Sequence, residues 1–592
     1  PPTSRVSSPI MASTSVPNPV TVLTPELQNK LKGRIDNVLA HIVKTNLHTR
    51  YTQESAVFTD FRSAVEALGD EREPQDSSLL EAFRATVPLT SYPSYEPFVA
   101  RFFEQPCRED RVKDLFAPGL PLIVSLSSAT SGKSPKFFPR YRHMPVYDWC
   151  AIPMSESGGT TCAVISLKPF QLIEVRGDGK DTLLPVAPVS STAIRMRYDI
   201  DEGNDTSTMK RTLPGMTSPL AVGYLRNYRS FLLIHALFAL ADPMLEIIYV
   251  CFSTTFVDLI RYMEEEWDTL INSIETGELP NYDDVDAVRE YLKPKFPPQP
   301  SRAAELRTIG TSTDAPGWLA QVWPSLKTVV GTASGIFSAA VPKMQHYLGS
   351  SVLIRTLGFA ATEGFVGLVY NPLELNLFKA VSDSVIEYLD VLLDESSASL
   401  VPAWELQTGH QYEIVMTTRD GLYRYRLEDV IEVAGFDPED GVPILKYVER
   451  RNVVARLGGT MTSGKVLTDA ILAAQEALGK IAEFTVVIDH RTMPSRFGYI
   501  VEIEGAIGPN VHIARQKVTD HLRLAGYVLQ NLIDQGVIGR PTIRILKPGT
   551  FAEFRQRKVE LTNSGAGQIK VPVVLSDEPT QKWLLERVVE EL

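Results

Sequence analysis

The stretch SSATSGKSPKFFP, residues 127–139, follows the apolar run LPLIVSL and gathers the hydroxyls of Ser127, Ser128, Thr130 and Ser131 around Gly132. Hydroxyls and closely spaced backbone amides are what a phosphate needs from a loop. The Gly-Lys-Ser triplet inside it raises the possibility of a Walker loop, but that pattern requires a glycine five residues before Gly132, where Ser127 stands. A Walker loop also opens directly into a helix whose amides complete the anion site. Here Pro135 and Pro139 bracket Lys-Phe-Phe and predict an extended segment. The loop is therefore a phosphate-binding candidate of another kind.

Two further stretches carry chemistry. In LGFAATEGFVGLVYNP, residues 357–372, a small-residue turn presents Thr362 and Glu363 after an apparent strand. A carboxylate beside a nucleotide is a Mg²⁺ ligand, because magnesium takes one or two carboxylates together with phosphate oxygens; alone, it is equally a glutamate in a surface turn. In TTRDGLYRYRLEDVIEVAGF, residues 417–436, Asp420-Gly421 makes a turn, and Tyr423, Arg424, Tyr425 and Arg426 alternate up to Asp429. An aspartate at a strand end accepts both ribose hydroxyls, and an arginine such as Arg426 meets phosphate bidentately. The competing reading is a polar strand face paired with its neighbours.

Several elements must position these residues. Thr24-Pro25-Glu26 is a helix start, and Leu27, Leu31, Ile35, Val38, Leu39 and Ile42 give the following helix one apolar stripe. Strands are expected at Leu122 to Leu126, Thr161 to Leu167, Ile247 to Cys251, Tyr412 to Thr418 and around Val430 to Val433, with a helix from Phe256 to Glu275. In that helix the adjacent Glu264, Glu265 and Glu266 read as a solvated face. Residues 280–300 read as a surface excursion. RRNVVARLGGTMTSGK, residues 450–465, offers glycine hinges, and beyond it strand and helix signals alternate on the scale of a small α/β domain. The expected division is a disordered tail over 1–24 with Met11 as a candidate start, a large domain over 25–454, and a small domain over 455–592.

A chain of 592 residues exceeds one core. Its formal charge of −12 excludes a general nucleic-acid binder, which needs a basic face. Four dispersed cysteines, without a C-x-x-C pair, point to a reduced cytoplasmic protein rather than a zinc site. The longest apolar stretch is interrupted by Asp242-Pro243 and Glu246, which argues against a membrane span.

SSATSGKSPKFFP, GFAATEG and GLYRYRLEDV, in this order, together with VWPSLKTVVGT, YVERRNVV and KPGTF followed by GAGQIKVP, resemble the auxin-responsive acyl acid amido synthetases. That family is a branch of the acyl-adenylate-forming superfamily. The resemblance implies an α/β, firefly luciferase-like fold with a large N-terminal domain and a mobile C-terminal one. It implies ATP and Mg²⁺, a small carboxylic acid and an amino acid as substrates, and a monomer. By the same matching, Ser127, Ser128, Thr130 and Ser131 wrap the phosphates, Thr362 and Glu363 lie at the nucleotide and metal, Asp429 with Arg426 holds the nucleotide, and Lys570 is the lysine brought in by the small domain. The acid pocket is expected within residues 185–230. Ala129, Lys133, Leu427-Glu428 and Val573 depart from the usual family residues. Two rivals are a ligase passing the acyl group to coenzyme A and a non-catalytic binder of a small acid.

Overall fold

The computed structural model describes residues 16–68, 76–127, 135–141, 152–200, 205–312, 315–451, 453–562 and 569–592. The first long helix, Pro25–Asn46, starts where the sequence predicts: the Thr24 hydroxyl accepts the Leu27 amide at 3.3 Å. Its buried residues include Leu31, Leu39 and Ile42 from the predicted stripe. Residues 16–24 correct the expected tail. Val20 pairs with Phe436 through two backbone hydrogen bonds, and Leu23 is buried, because these residues supply backbone partners and apolar cover to the strand Tyr425–Phe436. The rest of the expected tail lies outside the described residues.

Three sheets build the larger part of the molecule. A five-stranded sheet runs in the order Cys107–Arg108, Gln171–Arg176, Thr182–Pro188, Ile123–Leu126, Phe137–Arg140. A parallel sheet follows the order Thr160–Ala163, Leu245–Phe252, Thr328–Thr332, Leu353–Arg355. The helix Tyr228–Ala241, apolar almost all round, crosses over between its first two strands and is buried along nearly its whole length, as parallel sheets require. An eight-stranded antiparallel sheet contains Phe365–Val369, Gln411–Thr417, Tyr425–Phe436 and Pro443–Arg450. From Ala455 onward the chain forms two hydrophobic clusters of its own around a four-stranded sheet.

The expected helix Phe256 to Glu275 is two helices, Ser253–Glu265 and Trp267–Thr276, with the break at Glu266. The three glutamates there are not one solvated face. Arg229 binds Glu265 and Glu266, while Glu264 turns inward to accept the Tyr347 hydroxyl at 2.8 Å, and burial raises its carboxyl above the ordinary range. Among the described residues Cys107, Cys162 and Cys251 are buried.

Candidate active site

The described residues on either side of the phosphate-loop candidate lie on two paired strands. Ile123–Leu126 pairs antiparallel with Phe137–Arg140, so the element after the loop is a strand, and the Walker reading fails on geometry as well as on spelling. Ser127 closes the hairpin base: its amide donates to the Lys136 carbonyl at 2.8 Å, and its hydroxyl accepts the Lys136 amide at 2.9 Å. Ser128, Thr130 and Ser131 lie outside the described residues.

Thr362 and Glu363 form the tip of a second tight hairpin, in which Ala361 and Gly364 exchange backbone hydrogen bonds. A Cβ on Gly364 would stand 2.8 Å from the Met416 methyl carbon, so the glycine lets the hairpin pack closely on that side chain. The tip is tied to the first hairpin by Arg140, which is buried and donates to the Thr362 carbonyl and, at 2.8 Å, to Asp420. Asp420 also accepts the Tyr141 amide at 3.0 Å. The predicted Asp420-Gly421 turn thus locks two candidate loops together. Gly421 has φ +87°, and a Cβ there would lie 2.3 Å from the Phe116 carbonyl oxygen.

Asp429 is brought in by an irregular stretch of strand. Leu427, Glu428 and Asp429 together face Ile414 alone, between the pairs Val415–Arg426 and Glu413–Val430, and Glu428 has φ +67°. Such bulges re-aim side chains. Asp429 is 7 % exposed and Glu363 4 %. Arg450, the register partner of Asp429 on the next strand, approaches its carboxylate at 3.5 Å. The Tyr425 hydroxyl donates to Glu363 at 3.4 Å, and the Lys136 ammonium lies 3.5 Å from that hydroxyl. Lys570 arrives from the C-terminal part of the chain.

The electrostatics show an unfinished balance. Burial raises the Asp429 carboxyl to about 6, Arg450 and Lys570 lowering it and Glu363 raising it further. Burial, with Arg450 beside it, pulls the Lys570 ammonium down to about 8 against the pull of Asp429 and Glu363. Shifts of opposite sign at Asp429 and Lys570, two groups distant in sequence, are the pattern that makes this cluster a functional-site candidate.

Arg426 requires a correction. The structure does not bring it to this cluster: its guanidinium grips Glu413 bidentately at 2.8 and 2.7 Å and reaches Glu395 at 2.7 Å. Glu413 has no exposed side-chain surface, so pairing it is a structural necessity. The arginine at the site is Arg450. Its signal lay in YVERRNVV, but only the strand register shows which arginine faces Asp429. Tyr425 and Lys136 were likewise missed as site residues. Among the described residues no group of three or more His, Cys, Asp or Glu could hold a metal ion alone. Glu363 offers one carboxylate, which fits magnesium only as part of a phosphate complex.

Comparison with known proteins adds the context. The model for the GH3 family N-terminal domain matches residues 27–353, that for the GH3 family central domain 380–450, and that for the GH3 family C-terminal domain 465–579. A probable indole-3-acetic acid-amido synthetase of Oryza sativa subsp. japonica is 25 % identical over 542 residues, covering 87 % of this chain and 85 % of that protein. The jasmonoyl–L-amino acid synthetase JAR4 of Nicotiana attenuata is 24 % identical over 510 residues, covering 83 % and 85 %. The structure of the GH3.15 acyl acid amido synthetase superposes with a TM-score of 0.76 at 21 % identity, covering 96 % of both chains, so the two share a fold. With the N-terminal model alone spanning more than half its length, this chain belongs to the GH3 family.

Proposed function

We infer that the protein is an ATP-dependent acyl acid amido synthetase: it adenylates a carboxylic acid and transfers the acyl group to the amine of an amino acid. The observation that carries this reading is the meeting of Asp429, Glu363 and Lys570, from three separate segments, beside Arg450. The named relatives, amido synthetases of indole-3-acetic acid and jasmonate, support it.

In the first half-reaction a carboxylate oxygen of the acid attacks the α-phosphorus of ATP, and pyrophosphate leaves. Negative charge builds on the α-phosphate oxygens, and Lys570 with Arg450 stabilises it as pre-placed cations, with no reorganisation at the moment of reaction. Asp429, as a carboxylate, accepts the ribose hydroxyls. Glu363 would hold the magnesium that accompanies the triphosphate, which would neutralise phosphate charge, and the hydroxyls of Ser127, Ser128, Thr130 and Ser131 would donate to the phosphates. Lys136, at the foot of that hairpin, faces the same charge. In the second half-reaction the amine nitrogen attacks the acyl carbonyl, AMP departs with the bonding electrons, and the nitrogen loses a proton. Residues 185–230 are our choice for the acid pocket; there the Thr192 hydroxyl, at 3.0 Å from Ser125, couples the helix Val189–Arg197 to the strand that leads into the phosphate loop. No helix among the described residues is long and apolar enough to cross a membrane. We expect a cytoplasmic monomer.

The test is ATP–pyrophosphate exchange against aryl, indolyl, aliphatic and amino acids, followed by mass spectrometry with a mixed amino-acid pool. Acid-dependent exchange followed by an amide product is the expected result. Exchange that leads to a thioester with coenzyme A, and to no amide, would overturn the acceptor assignment. ATP binding without exchange across the panel would overturn the enzymatic one.

A further inference from the structure

Lys570 can act only if the C-terminal part of the chain is held against the rest, and the contacts that hold it are polar. Among the described residues Ala552 is the one buried residue after position 454 that joins the hydrophobic cluster built on the parallel sheet. Beside it stands a buried ionic junction. Arg555, 1 % exposed, donates to Asp258 at 2.9 Å and also grips Glu483. Tyr228, fully buried, donates its hydroxyl to the same Asp258 oxygen at 2.8 Å. The next residue along, Gln556, accepts the backbone amide of Tyr228 at 2.6 Å, so the C-terminal part of the chain satisfies an otherwise orphaned amide at the start of the helix Tyr228–Ala241. Glu502 fixes the start of the helix that carries Arg555, accepting the Gly549 and Phe551 amides at 2.7 and 2.8 Å. Lys343 and Glu504 add an ion pair at 3.1 Å.

We propose that Arg555, clamped between Asp258 and Glu483 over Tyr228, is a positioning residue for adenylation: it latches the C-terminal unit in the one orientation that sets Lys570 beside Asp429 and Glu363. Three features make the junction a latch rather than glue. It sits on the helix Thr550–Thr562, which precedes Lys570 in the chain and belongs with it to the C-terminal part. Asp258 and Glu483 come from opposite sides and would repel without the guanidinium between them, which makes the docked geometry specific. Arg555 and Glu483 belong to the same unit, so undocking leaves the arginine paired and, of the two carboxylates it bridges, exposes only Asp258 to water. A polar interface of this kind permits release, whereas a large apolar one would not.

The inference rests on the adenylation reading above, and the experiment separates the two. Arg555→Gln, and the milder Asp258→Asn, which keeps an acceptor for Tyr228, are compared with the full-length wild type in three measurements: acid-dependent pyrophosphate exchange, aminolysis of a synthetic acyl-adenylate, and the distance distribution between spin labels at the exposed positions 244 and 589 without substrates. Misplacement of a reacting group by about 1 Å costs on the order of 10²-fold. We expect exchange to fall by about that factor in Arg555→Gln and less in Asp258→Asn, with aminolysis changed by less than about threefold. The label distance broadens, and Arg555→Lys restores part of the exchange. Equal losses in both half-reactions, or an unbroadened distance, overturn the latch. Absence of exchange in the wild type overturns the adenylation reading instead, and the label distance still decides whether Arg555 holds the two parts together.

Discussion

Two arginine–carboxylate assemblies lie within a few residues of each other, and they differ in how completely the charges are matched. Arg424 donates twice to Glu387, both at 3.0 Å, and to the carbonyls of Arg84 and Val87; Arg426 holds Glu413 bidentately and Glu395 as well. At the site, Asp429 meets Arg450 at 3.5 Å, and Asp429 and Lys570 are pushed in opposite directions, the carboxyl up to about 6 and the ammonium down to about 8. A saturated pair has neutralised its charge inside the protein and supports the fold. An unsaturated cluster keeps its charge available, which is the property the proposed nucleotide site requires.

The sharpest way to break this contrast is to remove the carboxylates of the open cluster. Asp429→Ala and Glu363→Ala should each abolish pyrophosphate exchange in a protein that keeps its circular dichroism and melting transition; wild-type exchange in either removes that residue from the site. Lys570→Ala should lower exchange by about 10²–10³-fold, the cost of losing one pre-placed charge partner, while nucleotide affinity changes far less. The closed assembly should answer in the opposite currency. Arg426→Ala leaves Glu413 buried with Arg451 alone at 3.0 Å, and denaturation should show a loss of about 3–5 kcal/mol with exchange per folded molecule little altered. A stable but inactive Arg426→Ala protein would return Arg426 to the site.

What the sequence showed of this contrast, and what it hid, has a physical reason. The extended segment after the phosphate loop, the turn presenting Glu363 and the strand carrying Asp429 are local: proline placement, a small-residue turn and alternation specify them without knowledge of neighbours. The choice between Arg426 and Arg450 is not local. It depends on an irregular strand in which three residues oppose one, and on the register that sets Asp429 opposite Arg450, neither of which leaves a mark in a single strand's sequence. Residues 16–24 of the expected tail depart from it for the same reason: a Pro- and Ser-rich segment looks unstructured until a strand end such as Phe436 accepts Val20. Glu266, at the helix break, pairs with Arg229, which lies 37 residues away in the sequence and could not be read beside it there.

The same cluster should also govern the pH dependence. Asp429 must be ionised to accept hydroxyl donors, and Lys570 must be protonated to stabilise phosphate charge. kcat/KM, which reports the free enzyme, should therefore rise through about 6, peak near neutrality and fall above about 8. Lys570→Arg should move the alkaline limb upward and leave the acid limb in place, since a guanidinium stays charged. An alkaline limb that stays near 8 in Lys570→Arg would assign it to another group.

The smallest effect is the most discriminating, because it asks whether the open cluster is held against the interests of stability. A carboxyl raised from 3.8 to about 6 takes up its proton more readily in the folded chain, so stability falls as the pH rises through that interval, and the full penalty is present above about 6. Two pKa units correspond to at most about 3 kcal/mol, and loss of the Arg450 contact in Asp429→Asn offsets part of it. Asp429→Asn should therefore be inactive yet more stable than wild type by about 1 kcal/mol at pH 7.5, a gain that vanishes below about pH 4, where the wild-type carboxyl is protonated in both states. Urea midpoints at the two pH values measure this directly. A variant destabilised at pH 7.5 would show that Asp429 is already matched like Glu413, and that the two assemblies differ in position but not in kind.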